Sequence, residues 1–300
     1  MRNCNRAAGS RRVFAIVVAV VLVTIVLGCG VRKDEPQTIS TPPQPIDTVD
    51  EIGSDGQPDV PLTVVAPHVL KKSLMKISKQ FMAKHPDVRV EIATEVIDAL
   101  PRMVAEGERS GDILAIMDGP ELGPIQEAGA VELGDATHFA DIAVIVAAPK
   151  GNPLEISELA DLTKNEVATI ALPDPNLDSA GKAFTDALKA EGLFEELECK
   201  LDFRSCPHTA CAQVEESAAE LGITYAPCVL FGHSDMTLCI AMALPVEAGP
   251  PVELIAARYS DGDHPAIEAF TEYLMSSPAQ AVFAELGMEP MVSTESDGAE

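Results

Sequence analysis

The apolar positions of residues 62–128 alternate between the periodicities of strands and helices. Short unbroken apolar runs predict buried strands, whereas apolar side chains at every third or fourth position, such as Leu74, Ile77 and Phe81, predict a helix with one buried face. Strands and helices follow each other in turn, which predicts a parallel sheet with helices on its faces. The predicted strands are 62–66, 88–92 and 112–117, and the predicted helices are 70–85, 97–106 and 120–128.

The same alternation continues through the second half of the chain and gives an α/β fold class. Ser179 is the predicted cap of a helix that ends at Gly192, and a loop is predicted from Pro227. The predicted strands are 142–148, 167–172, 223–226, 236–244 and 252–257, and the predicted helices are 179–191, 209–220, 264–275 and 278–285. The folded part is long enough for two lobes or one large domain.

The first 28 residues have the pattern of a secretory signal peptide. Four arginines precede residues 13–27, an apolar run that is shorter than the roughly 20 residues needed to cross a bilayer. Gly28 before Cys29 resembles the cleavage site of bacterial lipoproteins, in which the cysteine is lipidated. Arg11 and Arg12 also resemble a twin-arginine export signal, so the export route stays open between that pathway and the general secretory one.

Residues 29–60 are polar and rich in proline and are predicted to form a disordered tether; residues 291–300 are predicted to form a disordered tail. A lipid on Cys29 would hold the folded part at the outer face of a bacterial membrane. The net charge of −26 excludes nucleic acid as a partner. The absence of Trp and the presence of only three Tyr argue against a stacked sugar-binding platform.

Five of the seven cysteines fall within residues 199–239, near His208 and His233. In an oxidising compartment, close cysteines most often form disulfides, but the mixture of thiol, imidazole and carboxylate also suits a transition metal or metalloid. No His–Asp pair can be placed beside a cysteine by motif, so an enzyme with a thiol nucleophile is not expected. The cysteines of the cluster, each a possible disulfide partner, are Cys199, Cys206, Cys211, Cys228 and Cys239.

Several segments of the folded region, in order, resemble the molybdate-binding proteins of bacterial ABC importers. No single segment is specific, but their order is, and the resemblance covers residues 62–288. The matching segments are 62–66, 81–90, 111–115, 148–153, 172–181, 222–225 and 270–287.

This resemblance implies a two-lobed periplasmic-binding-protein fold with the ligand in the cleft between the lobes. Each lobe is expected to contain a mostly parallel sheet flanked by helices, and two crossover strands are expected to form the hinge. The first lobe would comprise residues 62–141 and 250–290, and the second residues 142–249. The expected partner is an ABC permease, and the protein is expected to be a monomer without enzymatic activity.

The resemblance also implies the position of the ligand site, but several of the family's polar groups are replaced. The turns that carry two family serines here contain His68 and Asp98, whereas the turn before Ser179 and the family tyrosine, Tyr225, are kept. A third family position falls on Cys206. The predicted ligand-binding residues are therefore His68, Asp98, Ser179, Cys206 and Tyr225.

Two hypotheses for the ligand follow. The usual cargo of the family is molybdate or tungstate. However, a carboxylate such as Asp98 would repel a dianion in a cleft of low dielectric constant, so a changed ligand, either a transition metal or a metalloid, is also considered. Its tentative ligands are Cys206, Cys228, His68 and Asp98. A different class of function is a membrane-tethered metal sensor or metallochaperone that uses the same cysteine and histidine side chains.

Overall fold

A computed structural model of the 300-residue chain describes residues 60–231 and 237–291. The predicted signal peptide at 1–28, the lipidation site Cys29, the tether up to residue 59, His233, and the tail from residue 292 lie outside the described residues. In the described ranges, no helix is both long enough and apolar enough to cross a membrane.

A six-stranded sheet is the centre of the first of two lobes. Its strands lie in the order β11-β4-β10-β3-β1-β2. Five helices accompany this sheet. The strands are β1 (Leu62–Pro67), β2 (Val90–Glu95), β3 (Ile113–Met117), β4 (Val131–Ile142), β10 (Val252–Tyr259) and β11 (Met288–Pro290), and the helices are α1 (Lys71–Lys84), α2 (Leu100–Ala105), α3 (Leu122–Ala128), α8 (Ile267–Leu274) and α9 (Ser277–Glu285).

A five-stranded sheet with the order β7-β6-β8-β5-β9 is the centre of the second lobe. Its strands are β5 (Val144–Pro149), β6 (Ile170–Pro173), β7 (Leu201–Arg204), β8 (Leu221–Tyr225) and β9 (Leu238–Ala243), and its helices are α4 (Ser179–Ala190), α5 (Phe194–Leu197), α6 (Pro207–Glu215) and α7 (Ala226–Phe231). Short 3-10 helices lie at His68–Leu70, Leu159–Thr163, Glu198–Lys200 and Val246–Ala248.

The α/β class and the two-sheet architecture are confirmed, but the sheets are mixed rather than mostly parallel. Parallel pairing is found between β1 and its neighbours β2 and β3, and between β6 and its neighbours β7 and β8. The chain leaves the first lobe along β4 and returns along β10, and these two strands therefore run in opposite directions. The chain enters the second lobe along β5 and leaves it along β9, so these two strands are also antiparallel.

Several local predictions differ from the structure. The periodicity does not predict β4, β7 or β11, and the helix predicted over 209–220 ends at Glu215.

Two further differences concern residues near the candidate site. The loop predicted from Pro227 is the helix α7, because a proline in the first turn of a helix removes no hydrogen bond that the helix would make. The side chain that caps α4 belongs to Asp178, not to Ser179, which is the first helical residue. Asp178 accepts hydrogen bonds from the backbone N–H groups of Ala180 and Gly181, at 2.8 and 3.4 Å.

In helix α1, the apolar residues that recur at helical spacing form the face that packs into the core. Leu74, Ile77 and Phe81 recur at helical spacing and are fully buried, while the lysines of the same helix face solvent or lie at its edge. The ring of Phe81 packs edge-on against Phe270 of α8, with 5.1 Å between centroids. These contacts belong to one connected set of buried apolar side chains that extends through both lobes.

We predict that Gly181→Ala destabilises the protein. A Cβ atom at Gly181 would lie 2.1 Å from the carbonyl oxygen of Pro173, so the first turn of α4 would have to move away from β6. Overpacking of this kind costs about 1–3 kcal/mol of unfolding free energy, which urea denaturation measures.

The matched control is Gly123→Ala in α3, where a Cβ atom would meet nothing within 4 Å. There the better helix propensity of alanine should raise the unfolding free energy by about 0.5–1 kcal/mol. Equal effects of the two substitutions would contradict the close packing of α4 on β6.

Candidate ligand-binding site between the lobes

A cavity of about 360 Å³ lies between the two lobes. It is bounded by residues that follow the carboxyl ends of parallel strands in both sheets, the edge at which α/β proteins generally bind ligands. The first lobe contributes Pro67, His68, Val69, Lys72, Ser73, Val96, Ile97, Met117, Leu286 and Met288, and the second contributes Cys206, Pro207, His208, Tyr225, Pro227, Cys228 and Phe231.

The predicted ligand-binding residues are only partly brought together. His68, Cys206 and Tyr225 line the cavity, and Cys228 lines it with them. Asp98 is exposed and is not part of the lining, although its neighbours Val96 and Ile97 are. Ser179 is buried beside the cavity and is hydrogen-bonded to another side chain, Glu121, so it does not line the cavity either.

His68 lies directly after β1, at the cavity wall contributed by the first lobe. Partial burial, followed by the positive charge of Lys71, lowers the pKa of the His68 imidazole, and a hydrogen bond with the Thr94 backbone opposes this shift. His208 of the second lobe also contributes to the lowered pKa, so the two imidazoles approach each other across the cavity. His68 is therefore neutral at neutral pH and serves as a hydrogen-bonding group without charge.

Cys206 is the residue that caps α6, and Pro207 occupies the first position of that helix. The Cys206 backbone N–H donates to the Thr209 hydroxyl at 3.2 Å, and this hydrogen bond fixes the turn that places Cys206 at the cavity. Burial is the largest cause that raises the pKa of Cys228, and it raises the pKa of Cys211 to about 12. Both thiols are consequently protonated at neutral pH, a form that is a poor metal ligand and a poor nucleophile.

The five described cysteines are free thiols, so the disulfide prediction is not supported. Cys206, Cys211 and Cys228 are nevertheless close enough to affect one another's electrostatics, whereas Cys199 and Cys239 lie on other elements. Cys199 is exposed after α5, and Cys239 on β9 donates to the Pro149 carbonyl oxygen at 3.3 Å. Cys211 packs into a second apolar cluster, whereas Cys206 lines the cavity.

The tentative metal ligands do not form a preformed metal site in the described part of the chain. There, no group of three or more His, Cys, Asp or Glu side chains is placed so that it could hold a metal ion. His68, Cys206 and Cys228 share the cavity, but the carboxylate of Asp98 lies outside its lining.

Tyr225 is the last residue of β8, and it is only 1 % exposed. Its hydroxyl group makes no hydrogen bond of standard geometry within the protein, although the residue lines the cavity and the Ala180 backbone N–H is near enough to affect its pKa. Burial is the main cause that raises the pKa of Tyr225 far above its usual value, and the negative charges of Asp178 and Glu121 add to it. The hydroxyl is thus a neutral donor that a bound molecule can satisfy.

A buried carboxylate beside the cavity was not found by sequence reasoning. Glu121 lies between β3 and α3 in the first lobe and is 1 % exposed. It accepts hydrogen bonds from the Ser179 backbone N–H at 2.7 Å and from the Ser179 hydroxyl at 2.6 Å. The nearby Gly119 permits this approach, since a Cβ atom there would lie 2.0 Å from the Ser179 hydroxyl oxygen.

Asp178 is a second buried carboxylate at the same place. One oxygen caps α4, and the other, Oδ2, has no hydrogen-bond partner. Burial, followed by the charge of Glu121, raises the pKa of Asp178 to about 7, and burial also raises the pKa of Glu121. Among the described residues, no lysine or arginine forms an ion pair with either carboxylate.

These pKa shifts predict that the protein becomes less stable as the pH rises from about 4 to about 7. The pKa of Asp178 is near 4 in an unfolded chain, so between the two values the folded protein holds a proton that the unfolded chain has lost. The stabilisation is fully present below about pH 4 and is lost as the pH rises through about 7.

Asp178→Asn should remove this contribution while it preserves the helix cap, because asparagine caps helices as well as aspartate does. Over that pH range, the unfolding free energy of the wild-type protein should fall by up to about 1.4 kcal/mol per pH unit more than that of the variant. Urea denaturation at several pH values measures both slopes. Parallel pH profiles would contradict the raised pKa of Asp178.

Solved structures with the same fold include a molybdate-binding protein and a protein with L-phospholactate bound. The periplasmic molybdate-binding protein of Azotobacter vinelandii matches with a TM-score of 0.61 and 18 % sequence identity, over 76 % of this chain and 98 % of that one. The L-phospholactate-bound PEB3 matches with a TM-score of 0.65 and 18 % identity, over 76 % and 99 % of the respective chains. At this level of identity, the likeness concerns the fold.

Curated proteins that are similar to this chain in sequence include molybdate-binding proteins. The molybdate-binding protein ModA of Mycobacterium tuberculosis is 28 % identical over 127 residues, which are 42 % of this chain and 48 % of that protein, and ModA of Mycobacterium bovis matches equally. The chain thus spans about half the length of the curated relatives it matches.

A family model described as bacterial extracellular solute-binding protein matches residues 62–289, which is nearly the whole folded region. The family is one of binding proteins rather than enzymes, in agreement with the sequence prediction. The chain belongs to the bacterial extracellular solute-binding protein family.

Proposed function

We propose that the protein captures a small organic solute in the cavity between its lobes and delivers it to an ABC permease. The observation that carries this proposal is the cavity itself. Both lobes contribute to its lining, and the buried Tyr225 hydroxyl at its wall lacks a hydrogen bond of standard geometry within the protein. A solute that supplied this bond and touched both lobes would be held by their closure.

The proposed location is the outer face of a bacterial membrane, with Cys29 lipidated. The sequence supports this location through the arginine-rich, then apolar, first 28 residues and the Gly28–Cys29 junction. Family membership supports a permease as partner, because an extracellular binding protein needs a membrane component to move its solute inward.

The cavity of about 360 Å³ has room for a small organic molecule as well as for a tetrahedral oxyanion. Most lining residues are apolar, as in the pockets that bind small organic molecules. PEB3, a relative in fold, is described with L-phospholactate bound, which supports an organic ligand in this architecture.

At the Tyr225 end of the cavity, the polar groups support a part of the ligand that carries no negative charge, whereas Lys72 of the first lobe adds an ammonium group to the lining elsewhere. The Tyr225 phenol and the Cys228 thiol are protonated at neutral pH, and His68 is neutral. Glu121 and Asp178 are close enough to Tyr225 to raise its pKa, so the electrostatic potential near its hydroxyl is negative. A carbonyl or hydroxyl group would bind there without repulsion.

A screen of small uncharged organic molecules by thermal shift should yield compounds that raise the melting temperature. We predict that Tyr225→Phe binds these compounds about tenfold more weakly, the value of one hydrogen bond of about 1.4 kcal/mol. The variant should be at least as stable as the wild-type protein, because the lost hydroxyl makes no hydrogen bond of standard geometry within the fold.

Tyr273→Phe is the matched control, since the Tyr273 hydroxyl is also buried without a partner but does not line the cavity. Its binding should equal that of the wild-type protein, as measured by calorimetry. Equal affinity in the Tyr225→Phe variant would refute the proposed site.

The metal sensor or metallochaperone is the alternative function, and a zinc titration of the reduced protein tests it. Because Cys228 is protonated and the described residues contain no three-ligand group, we predict that zinc binds the wild-type protein no more tightly than it binds the Cys206→Ser/Cys228→Ser double variant. Tight zinc binding that the double variant loses would favour the sensor instead.

A further inference from the structure

The first turn of α4 has the features of an anion site. Backbone N–H groups at a helix N-terminus point outward, and the helix dipole favours negative charge there. In this protein the Ser179 hydroxyl adds a donor beside the Ser179 N–H group. Tyr225, whose hydroxyl makes no hydrogen bond of standard geometry, lies close by, since the charges of Asp178 and Glu121 reach it.

The chain fills this site with its own carboxylates. Glu121 takes both donors of Ser179, one with each oxygen, at 2.7 and 2.6 Å. Asp178 takes the next two N–H groups, those of Ala180 and Gly181. Every N–H group of the first three helical residues is thereby satisfied without an external anion.

The contact between Glu121 and Ser179 is built into the packing of the two lobes. Glu121 belongs to the first lobe and Ser179 to the second, and both side chains are almost completely buried. The absence of a side chain at Gly119 is required for this approach, because a Cβ atom would collide with the Ser179 hydroxyl oxygen. The carboxylate therefore has a defined position rather than one of many surface rotamers.

We infer that Glu121 is a specificity-determining residue: its carboxylate takes the donors at the start of α4 that would otherwise be open to an oxyanion, so the protein rejects tetrahedral dianions at this end of the cavity. This inference rests on the proposed function, namely that the adjacent cavity is the capture site, and it specifies the class of solute. A dianion at the Tyr225 end of the cavity would find the helix donors occupied and two carboxylates beside it.

The test uses molybdate, tungstate and sulfate, titrated by calorimetry into three proteins. The wild-type protein should bind each anion more weakly than about 1 mM. Glu121→Ala vacates both donors of Ser179 and the space between them, and it should bind at least one of the anions at least tenfold more tightly than the wild-type protein does. Glu127→Ala is the matched control, because Glu127 is an exposed carboxylate on α3 and its loss changes the net charge equally.

Three outcomes would overturn the inference. The first is submillimolar binding of molybdate, tungstate or sulfate by the wild-type protein, a measurement that needs no variant. The second is a folded Glu121→Ala protein, verified by circular dichroism, that binds none of them more tightly. The third is an equal gain in Glu127→Ala, which would attribute the effect to net charge. If Glu121→Ala does not fold, Glu121→Ser is titrated in its place, and the same gain in affinity is expected because the loss of the carboxylate frees the Ser179 donors.

These outcomes are distinct from a failure of the proposed function. If no uncharged organic molecule binds, the capture site is wrong, but the anion titrations still decide the role of Glu121. If the wild-type protein binds molybdate, the role of Glu121 is wrong, but solute capture in the cleft stands.

Discussion

The arrangement of the cleft depends on how two buried carboxylates are accommodated at the start of α4. A carboxylate is costly to remove from water unless hydrogen bonds compensate it. Here Glu121 and Asp178 each accept two hydrogen bonds from the first turn of the helix or from the Ser179 hydroxyl. Because Glu121 comes from the first lobe and the helix from the second, the hydrogen bonds that satisfy this carboxylate also join the two lobes.

Repulsion by the carboxylates of Glu121 and Asp178 disfavours a dianion at the start of α4. Two like charges 4 Å apart repel each other by about 4 kcal/mol at an effective dielectric constant of 20. Burial, followed by repulsion from Glu121, raises the pKa of Asp178. A dianion nearby would be repelled by both carboxylates in the same way. Apolar side chains and the protonated Cys228 thiol make up much of the lining, and Lys72 adds an ammonium group to it.

The sequence predicted much of the fold, because the alternation of apolar periodicity is a local property. It predicted α1 and β1 closely, and it placed His68, Cys206 and Tyr225, which line one cavity. It could not predict Glu121, which is separated from Ser179 by 58 residues and pairs with it only through the packing of two lobes. Nor could the sequence predict the state of the cysteine cluster: Cys206, Cys211 and Cys228 do come near one another, but as free thiols rather than disulfides.

The passage of the chain between the lobes has a mechanical consequence. A single residue, Ala143, separates β4 from β5, and each of these strands is hydrogen-bonded to a neighbour on both sides. The return path through residues 244–251 is longer and contains only one turn of 3-10 helix. Any rotation of one lobe against the other must therefore change the backbone at Ala143 and within residues 244–251, the two places where the described chain crosses between the lobes. The one-residue link keeps the ends of β4 and β5 close together, so the lobes can rotate about Ala143 but cannot separate there.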